Sequence, residues 1–306
     1  MNLKQLFITF SAVLLFAGCN NNQGTQTQGW DESKYKPDYS TPPFIIDDHV
    51  HYRATDEFEK DFIEVYTRHN AMACLLVNIQ HLERGIAFAK AHPDRVIPYA
   101  AVDIDSPTIL EDVQKVYDMG FRGLGELFAR GNWDYCDPKY DPLWALAEKL
   151  DMPVAPHTGN LSNGLMHHLR PAPLGDICAR HPKLKIHAAH FGNPWYEEAA
   201  EAARRNANLY FDLSGSSLIK KEKDPQYWAQ WLWWTDAIGK AHMPANAVPA
   251  WEKIVFGSDE GPDQFEENIR RFNKVLDANN VPDSIRAKCY GLTMARLLGI
   301  KVPSGK

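Results

Sequence analysis

The chain has 306 residues, of which 44% are hydrophobic, and a formal net charge of −6 at pH 7. A chain of this length can bury one sizeable core and has little left for a second domain. The negative charge argues against a nucleic-acid substrate, and the one local lysine cluster, residues 220–223, is interrupted by Glu222 and is predicted to be a solvated loop.

The N-terminal segment has the features of an export signal. An apolar stretch over residues 6–16 precedes Ala17 and Gly18, which is typical of a signal peptide spanning residues 1–18. The stretch is too short for a membrane-spanning helix, which needs about 20 apolar residues. The run Leu-Phe-Ala-Gly-Cys ending at Cys19 resembles a bacterial lipobox, in which cleavage before the cysteine leaves Cys19 lipidated. The alternative is a plain secretory signal cut near Gly18.

The mature chain is therefore expected outside the cytoplasm, attached to a membrane. Residues 20–29 are Asn, Gln, Thr and Gly, which are too polar to pack. Residues 19–42 as a whole are predicted to be a polar tether with a lipid anchor. This organisation predicts a bacterial cell-envelope lipoprotein on the periplasmic or outer-membrane face.

From about residue 44 onward, apolar runs alternate with amphipathic segments of helical period. The predicted strands are Phe44–His51, Ala73–Ile79, Val96–Ile104, Phe121–Phe128, Pro153–His157, Leu184–His190, Asn208–Leu213 and Lys253–Asp259. The predicted helices are Glu57–Arg68, Leu82–Ala91, Ile109–Asp118, Pro142–Leu150, Leu174–Arg180 and Tyr196–Arg205. Eight such units fit a (β/α)₈ TIM barrel, whose usual size is about 250 residues, and the barrel would occupy residues 43–306.

Residues of the metal-ligand type stand at the ends of these strands, where barrel enzymes carry their chemistry. His49 and His51 are two positions apart, so a strand would place both imidazoles on one face. The complete set of strand-end candidates is His49, His51, Glu126, His157, His190 and Asp259. His187 competes with His190 on the sixth strand, and we choose His190 because it lies nearer the end of the strand and precedes Gly192.

Four short motifs resemble the amidohydrolase superfamily. They are Ile-Asp-Asp-His-Val-His at residues 46–51, Ala-Pro-His-Thr-Gly at 155–159, Ala-His-Phe-Gly at 189–192 and Phe-Gly-Ser-Asp at 256–259. The amidohydrolase-related group, which also contains aminocarboxymuconate semialdehyde decarboxylase, is the branch that they resemble most. The resemblance implies a divalent metal held by His49, His51, His157 and Asp259, with His190 as a second-site ligand or a catalytic group. Imidazoles and carboxylates suit zinc, with manganese and iron as alternatives.

Glu126 leaves open whether one or two metal ions bind. Its Gly-x-Gly-Glu context resembles superfamily members in which a residue of the fourth strand bridges two metals. Bridging would assign His49, His51 and Asp259 to one ion and His157 and His190 to the other. The alternative is a glutamate paired with Arg122, Arg130 or Arg53 at the barrel mouth.

The function predicted from these residues is hydrolysis of a small-molecule ester, lactone or amide by metal-bound hydroxide. Asp259 would take the proton of the attacking water and pass it to the leaving group. Arg170, His168 and Arg53 are candidates for binding the substrate. The alternative for the loop that carries Arg170 and His168 is a set of exposed residues in which Arg170 pairs locally. One alternative is a metal-dependent decarboxylase, which a free Glu126 and an anion-binding Arg170 would favour. Another is a surface lipoprotein that binds a ligand without catalysis.

The loop after the seventh strand, residues 214–251, carries five tryptophans: Trp228, Trp231, Trp233, Trp234 and Trp251. Their spacing fits neither a helix nor a strand. They are predicted to pack on the barrel or on a second subunit of a homo-oligomer, with a lid over the metals as the alternative.

Overall fold

The computed structural model describes residues 44–131, 134–161, 165–220, 224–234 and 248–302. The predicted signal peptide, Cys19 and the tether up to residue 42 lie outside the described residues. Within the described part of the chain, no helix has the length and apolar character needed to cross a membrane.

Eight parallel strands form one sheet in the order of the chain, which curves into a nearly closed barrel. The strands are β1 (Ile45–His51), β2 (Ala71–Asn78), β3 (Val96–Ala101), β4 (Gly123–Leu127), β5 (Val154–Pro156), β6 (Ile186–Ala188), β7 (Leu209–Asp212) and β8 (Ile254–Val255). Each strand is buried almost throughout, because helices cover the outside and side chains fill the inside. The predicted TIM barrel is therefore confirmed.

Helices lie between the strands, and all six predicted helices are present. The helices are α1 (Asp56–Arg68), α2 (Leu82–Ala91), α3 (Ile109–Met119), α4 (Asp141–Lys149), α5 (Ala172–Arg180), α6 (Tyr196–Arg205), α7 (Ser217–Lys220), α8 (Phe265–Ala278), α9 (Asp283–Ala287) and α10 (Thr293–Leu298). Between β1 and α1, Thr55 caps the helix by accepting a hydrogen bond from the amide of Phe58.

The later strands are shorter than predicted. β6 ends at Ala188 rather than at residue 190, and β8 ends at Val255 rather than at residue 259. His190 lies in a short 3₁₀ turn, Ala189–Gly192, with a left-handed φ of 68°. Asp259 likewise has a φ of 56°. Both residues therefore reach the barrel mouth from loops that follow the strands.

Two irregularities in the sheet coincide with predicted ligands. The pairing of β1 with β2 shifts between Asp47 and Val50, and that of β4 with β5 shifts between Gly125 and Leu127. A bulge of this kind redirects the side chain that it contains. The shifts lie at His49 and at Glu126, so both predicted ligands stand where the pairing of the sheet is irregular.

Candidate metal centre

Three predicted ligands from β1 and the loop after β8 meet at one point. The Nε2 atoms of His49 and His51 are 3.2 Å apart. Oδ1 of Asp259 is 3.5 Å from the first and 3.4 Å from the second. The backbone amide of Asp259 donates to the carbonyl oxygen of His49, at 2.9 Å, which joins the loop to β1. We refer to these three residues as the first ligand group.

Glu126 at the end of β4 lies between this group and two further histidines. Its Oε2 is 3.6 Å from Nε2 of His49 and 3.5 Å from Nε2 of His51. Its Oε1 is 2.6 Å from Nδ1 of His157 and 3.4 Å from Nε2 of His190. Within the described residues, its ionic partners are these histidines and not Arg53, Arg122 or Arg130.

His157 and His190, the second ligand group, are oriented differently from each other. Nδ1 of His190 donates to the carbonyl oxygen of Ser214 at 2.9 Å, so its Nε2 is left facing Glu126. Nδ1 of His157 is at hydrogen-bonding distance from Glu126, and its Nε2 is buried without a partner among the described residues. All six predicted ligands thus converge. The histidines of the first group face one another through Nε2, whereas in the second group Nδ1 of His157 and Nε2 of His190 face Glu126.

His187, the alternative to His190, belongs to the barrel interior. It is almost completely buried, with Nδ1 3.1 Å from Asp48 and Nε2 2.9 Å from the hydroxyl of Tyr99. Burial lowers the pKa of His187 to about 3, so the ring is neutral. His187 packs below the ligand cluster, while His190 is part of it.

The carboxylates of the cluster are held in the ionised form. Burial alone would raise the pKa of Glu126, but the charge of His49 and hydrogen bonds from His157 and His190 lower it well below the usual range. For Asp259, a hydrogen bond from His51 and the charge of His49 outweigh burial and also lower the pKa. Ionised carboxylates beside imidazoles are the donor set of a divalent transition metal.

The spacing of the first ligand group and Glu126 also fits such an ion. The four atoms that face one another are Nε2 of His49, Nε2 of His51, Oδ1 of Asp259 and Oε2 of Glu126. Five of the six distances among these atoms lie between 3.2 and 3.6 Å. Tetrahedral ligands at zinc-ligand distances of about 2.0–2.2 Å would be about 3.3–3.6 Å apart. In addition, the pKa of His49 is raised well above its usual value. Burial opposes a charge on this ring, but the nearby carboxylates, of which Glu126 acts most strongly, together outweigh that effect, so the position favours a positive charge. The residues therefore fit a divalent metal.

A cavity of about 640 Å³ opens at the cluster on the side of His51, whose side chain is 46% exposed. Its wall continues from Glu126 to Phe128 and Arg130. The guanidinium of Arg130 lies over the Phe128 ring at 4.5 Å from its centroid. The cavity thus lies on the β2–β4 side of the cluster, and Arg130 is a cation in its wall.

The predicted substrate-binding residues have different surroundings. Arg170 donates from Nε to both carboxylate oxygens of Glu198, at 2.9 and 3.1 Å, and lines a separate groove. This local pairing is the alternative to a role in substrate binding, and the role itself stays a prediction. His168 is buried, with its ring 4.1 Å from that of His167. Arg53 is exposed and approaches Gly261 in the loop that carries Asp259, so its predicted role remains compatible with its position.

The tryptophans after β7 pack beside α6 and not over the cluster. Trp228 is fully buried between Phe191 and Tyr196, with ring centroids 5.5 and 5.4 Å away. Trp231, Trp233 and Trp234 line the groove of Arg170, which shares no described residue with the cavity at the cluster. Residues 221–223 and 235–247 of this loop are outside the described residues.

Two residues of the centre were not predicted from the sequence. Asp212 ends β7, and its Oδ2 is 3.3 Å from Nδ1 of His49. The strand-end rule that found the other ligands would have found it. Lys220, predicted to be solvated, instead lies 3.5 Å from Asp259 and donates to Glu260 at 2.8 Å. A lysine in a long loop gives no sequence signal of this kind.

Comparison with known proteins agrees with this architecture. The sequence profile of the amidohydrolase family matches residues 48–300. Among curated proteins, none matches the chain significantly. An uncharacterised TIM-barrel protein from Bordetella bronchiseptica superposes with a TM-score of 0.58 at 17% identity, covering 83% of this chain and 98% of that one.

Two other structures carry names of enzymes. A candidate 2-pyrone-4,6-dicarboxylic acid hydrolase from Pseudomonas putida has a TM-score of 0.58 at 15% identity, with 85% of this chain and 98% of that one covered. A 5-carboxyvanillate decarboxylase from Sphingomonas paucimobilis has a TM-score of 0.51 at 13% identity, with 84% and 99% covered. At these identities the likeness concerns the fold.

Proposed function

Because the chain belongs to the amidohydrolase family, an enzyme family that typically binds divalent metal, we propose that it is a metal-dependent hydrolase of a small-molecule ester, lactone or amide. The observation that carries this proposal is the position of Glu126. One of its oxygens faces His49 and His51, and the other faces His157 and His190. A carboxylate shared in this way supports two adjacent ions, of which zinc is the first candidate. Bound there, they would supply Lewis acidity and a water of lowered pKa.

Asp259 is the residue that we assign to proton transfer. It stands beside the first ligand group, and its lowered pKa keeps it ionised, so a carboxylate is present to accept the proton that a water molecule loses as its oxygen bonds to the carbonyl carbon. The same proton then passes to the leaving group when the bond to the carbonyl carbon breaks. Lys220, at 3.5 Å from the other carboxylate oxygen, favours the ionised form before the first step and after the second, and so promotes release of the proton from Asp259.

Decarboxylation is the second candidate, because the same ligands can serve it. A decarboxylase needs a cation for the substrate's carboxylate, and Arg130 lines the cavity next to Glu126. Arg170 is less suited to that role, since it is paired with Glu198. The two reactions differ in products, because hydrolysis consumes water and decarboxylation releases carbon dioxide.

Metal content per chain tests the proposal first. We expect two ions in the purified protein and one or none in Glu126→Gln, with Glu198→Gln, outside the cluster, as the matched control. A single ion that the substitution leaves in place would make Glu126 a structural residue and favour the decarboxylase. A chain that binds no metal after zinc, manganese or iron is supplied would favour a ligand-binding protein without catalysis.

Activity is then measured on a panel of lactones, esters, dipeptides and aromatic carboxylates. Ring opening or acid release that depends on metal supports the hydrolase. Release of carbon dioxide from a carboxylate without ester, lactone or amide cleavage contradicts it.

We further propose that the enzyme is a lipoprotein of the bacterial cell envelope, anchored through Cys19. The proposal is supported by the lipobox-like residues that end at this cysteine. Cys19→Ala should move the protein from the membrane fraction to the soluble fraction and abolish labelling with a radioactive fatty acid. Unchanged membrane retention and labelling would refute the anchor.

A further inference from the structure

Asp212 contacts parts of the metal centre that come from two other strands. Its Oδ2 is 3.3 Å from Nδ1 of His49 on β1. Its Oδ1 accepts hydrogen bonds from the backbone amides of His190, at 3.0 Å, and Ser214, at 2.6 Å. One buried carboxylate thereby connects the first ligand group to the turn that carries a member of the second.

The contact with His49 determines which nitrogen of that ring faces the other ligands. A carboxylate oxygen accepts a hydrogen bond, so Nδ1 of His49 is the donor. Its Nε2 then remains available on the side of His51 and Asp259, at 3.2 and 3.5 Å. Ser214 orients the ring of His190 in the same way. Its backbone carbonyl oxygen can only accept a hydrogen bond, so Nδ1 of His190 is the donor and Nε2 remains available.

Packing leaves Asp212 little freedom to move. Its side chain is about 1% exposed, and a Cβ placed on Gly257 would lie 2.9 Å from its own Cβ. Both of its oxygens are already engaged with His49, His190 and Ser214. The carboxylate therefore stays where it can accept from His49.

We propose that Asp212 is a positioning residue, which holds the His49 ring with Nε2 toward the metal and fixes the turn of His190. The inference rests on the proposed function, since it requires that the cluster binds a divalent ion. Carboxylates that accept from the second nitrogen of a metal-binding histidine set its tautomer, and their loss typically weakens metal binding by about 10–100-fold.

Zinc affinity of Asp212→Asn, measured by competition with a chelator on the full chain, tests the role. The introduced amide keeps the volume of the side chain but has a single acceptor oxygen, so it cannot serve both His49 and the two backbone amides. We expect zinc binding weaker by about 10–100-fold. Asp137→Asn is the matched control, because Asp137 also accepts from a backbone amide, that of Lys139, outside the centre.

A spectroscopic readout on the native protein tests the proposal even if the variant does not fold. In the zinc-loaded native protein, proton NMR should show a slowly exchanging Nδ1 proton on His49 that is shifted downfield by its carboxylate partner. In folded Asp212→Asn this resonance should be lost or shifted upfield. Native protein with the proton on Nε2 of His49 would overturn the proposal.

The outcomes separate this inference from the proposed function. If native protein and Asp212→Asn bind zinc equally well, Asp212 has no positioning role, and the hydrolase proposal stands. If native protein binds none of zinc, manganese and iron, the proposed function fails together with the inference. Weaker binding confined to Asp212→Asn, with the control unchanged, supports the positioning role.

Discussion

The two ends of the barrel accommodate buried charge in different ways. At the carboxyl end of the strands, Glu126 and Asp259 contact histidines whose free nitrogens converge. At the opposite end, Lys253 precedes β8 and donates to the carbonyl oxygens of Asn206 and Ala207, at 2.8 and 3.0 Å. The lysine is satisfied by the backbone, whereas the carboxyl end presents an excess of acceptors. The difference separates a lysine with a structural role from a set of groups that is suited to bind a cation.

Substituting Asp259 should give the largest effect on activity and little effect on folding. We expect Asp259→Asn to lower kcat by about 1,000-fold at saturating zinc, because the side chain no longer accepts a proton. Steady-state kinetics with the metal content determined in parallel measures the loss. Asp263→Asn, an exposed residue of the same loop, should retain native kcat. Equal losses in both variants would contradict the assignment.

Substitutions in the two ligand groups should differ in their effect on metal binding. We expect His51→Asn to weaken zinc binding by more than about 100-fold. It removes a direct ligand, and losing a direct ligand lowers metal affinity more than losing a residue that only supports a ligand. His157→Asn should lower the ion count from two to one and leave the first ligand group intact. Isothermal titration with zinc distinguishes the two. Two ions retained in His157→Asn would exclude His157 as a ligand.

Gly215 tests how tightly the loop after β7 packs on both ligand groups. A Cβ at this position would lie 2.5 Å from Nδ1 of His190 and 3.0 Å from Oδ2 of Asp259. Gly215→Ala should therefore lower zinc affinity at least about tenfold, in addition to a backbone cost of about 1–2 kcal/mol for its left-handed conformation.

Gly299→Ala is the matched control. The φ of Gly299 is 65°, close to the 59° of Gly215, but no atom lies within 4 Å of the Cβ position of Gly299. Chelator competition and urea unfolding of both variants separate displacement of ligands from the backbone cost. If the two variants lose zinc affinity equally, close packing at Gly215 is refuted.

The smallest effect on metal binding is expected at the opposite end of the barrel, where stability instead changes with pH. Burial lowers the pKa of Lys253 from 10.5 to about 7. Between these values the unfolded chain binds a proton that the folded chain releases, so stability rises with pH. The slope from this residue is at most about 1.4 kcal/mol per pH unit.

Urea unfolding from pH 7 to 10 measures this slope. Lys253→Met should reduce it, whereas Lys90→Met, on the exposed face of α2, should not. An identical slope in native protein and Lys253→Met would contradict the lowered pKa. Metal affinity should be the same in all three proteins, because Lys253 lies at the end of the barrel away from the cluster.

Sequence reasoning predicted the barrel and the convergence of the candidate ligands through one rule. Parallel strands all end at the same face of the barrel, so residues near the strand ends, such as His49, Glu126 and His157, are brought together whatever the conformation of the loops. The same rule could have identified Asp212, which ends β7. It could not predict that Lys220 approaches Asp259, or that Glu198 is the local partner of Arg170, because such contacts depend on loop conformation and not on hydrophobic periodicity.

Strand lengths were predicted less well, for a related reason. His190 and Asp259 were expected to end strands, yet both follow them in left-handed turns. The apolar runs that predicted β6 and β8 continue into these turns, since the turns are also buried. Hydrophobic periodicity reports burial, and a buried turn of a few residues resembles the end of a buried strand.

The left-handed backbone at His190 and Asp259 has a consequence for the evolution of this chain. Such a conformation favours glycine, and although Asn, Asp and His adopt it more readily than other residues, a histidine and an aspartate are kept there against a local preference of about 1 kcal/mol. Selection for stability and selection for chemistry thus act in opposite directions at these two positions. A descendant that no longer needed the metal should lose these residues early, and substitution to glycine there would stabilise its fold.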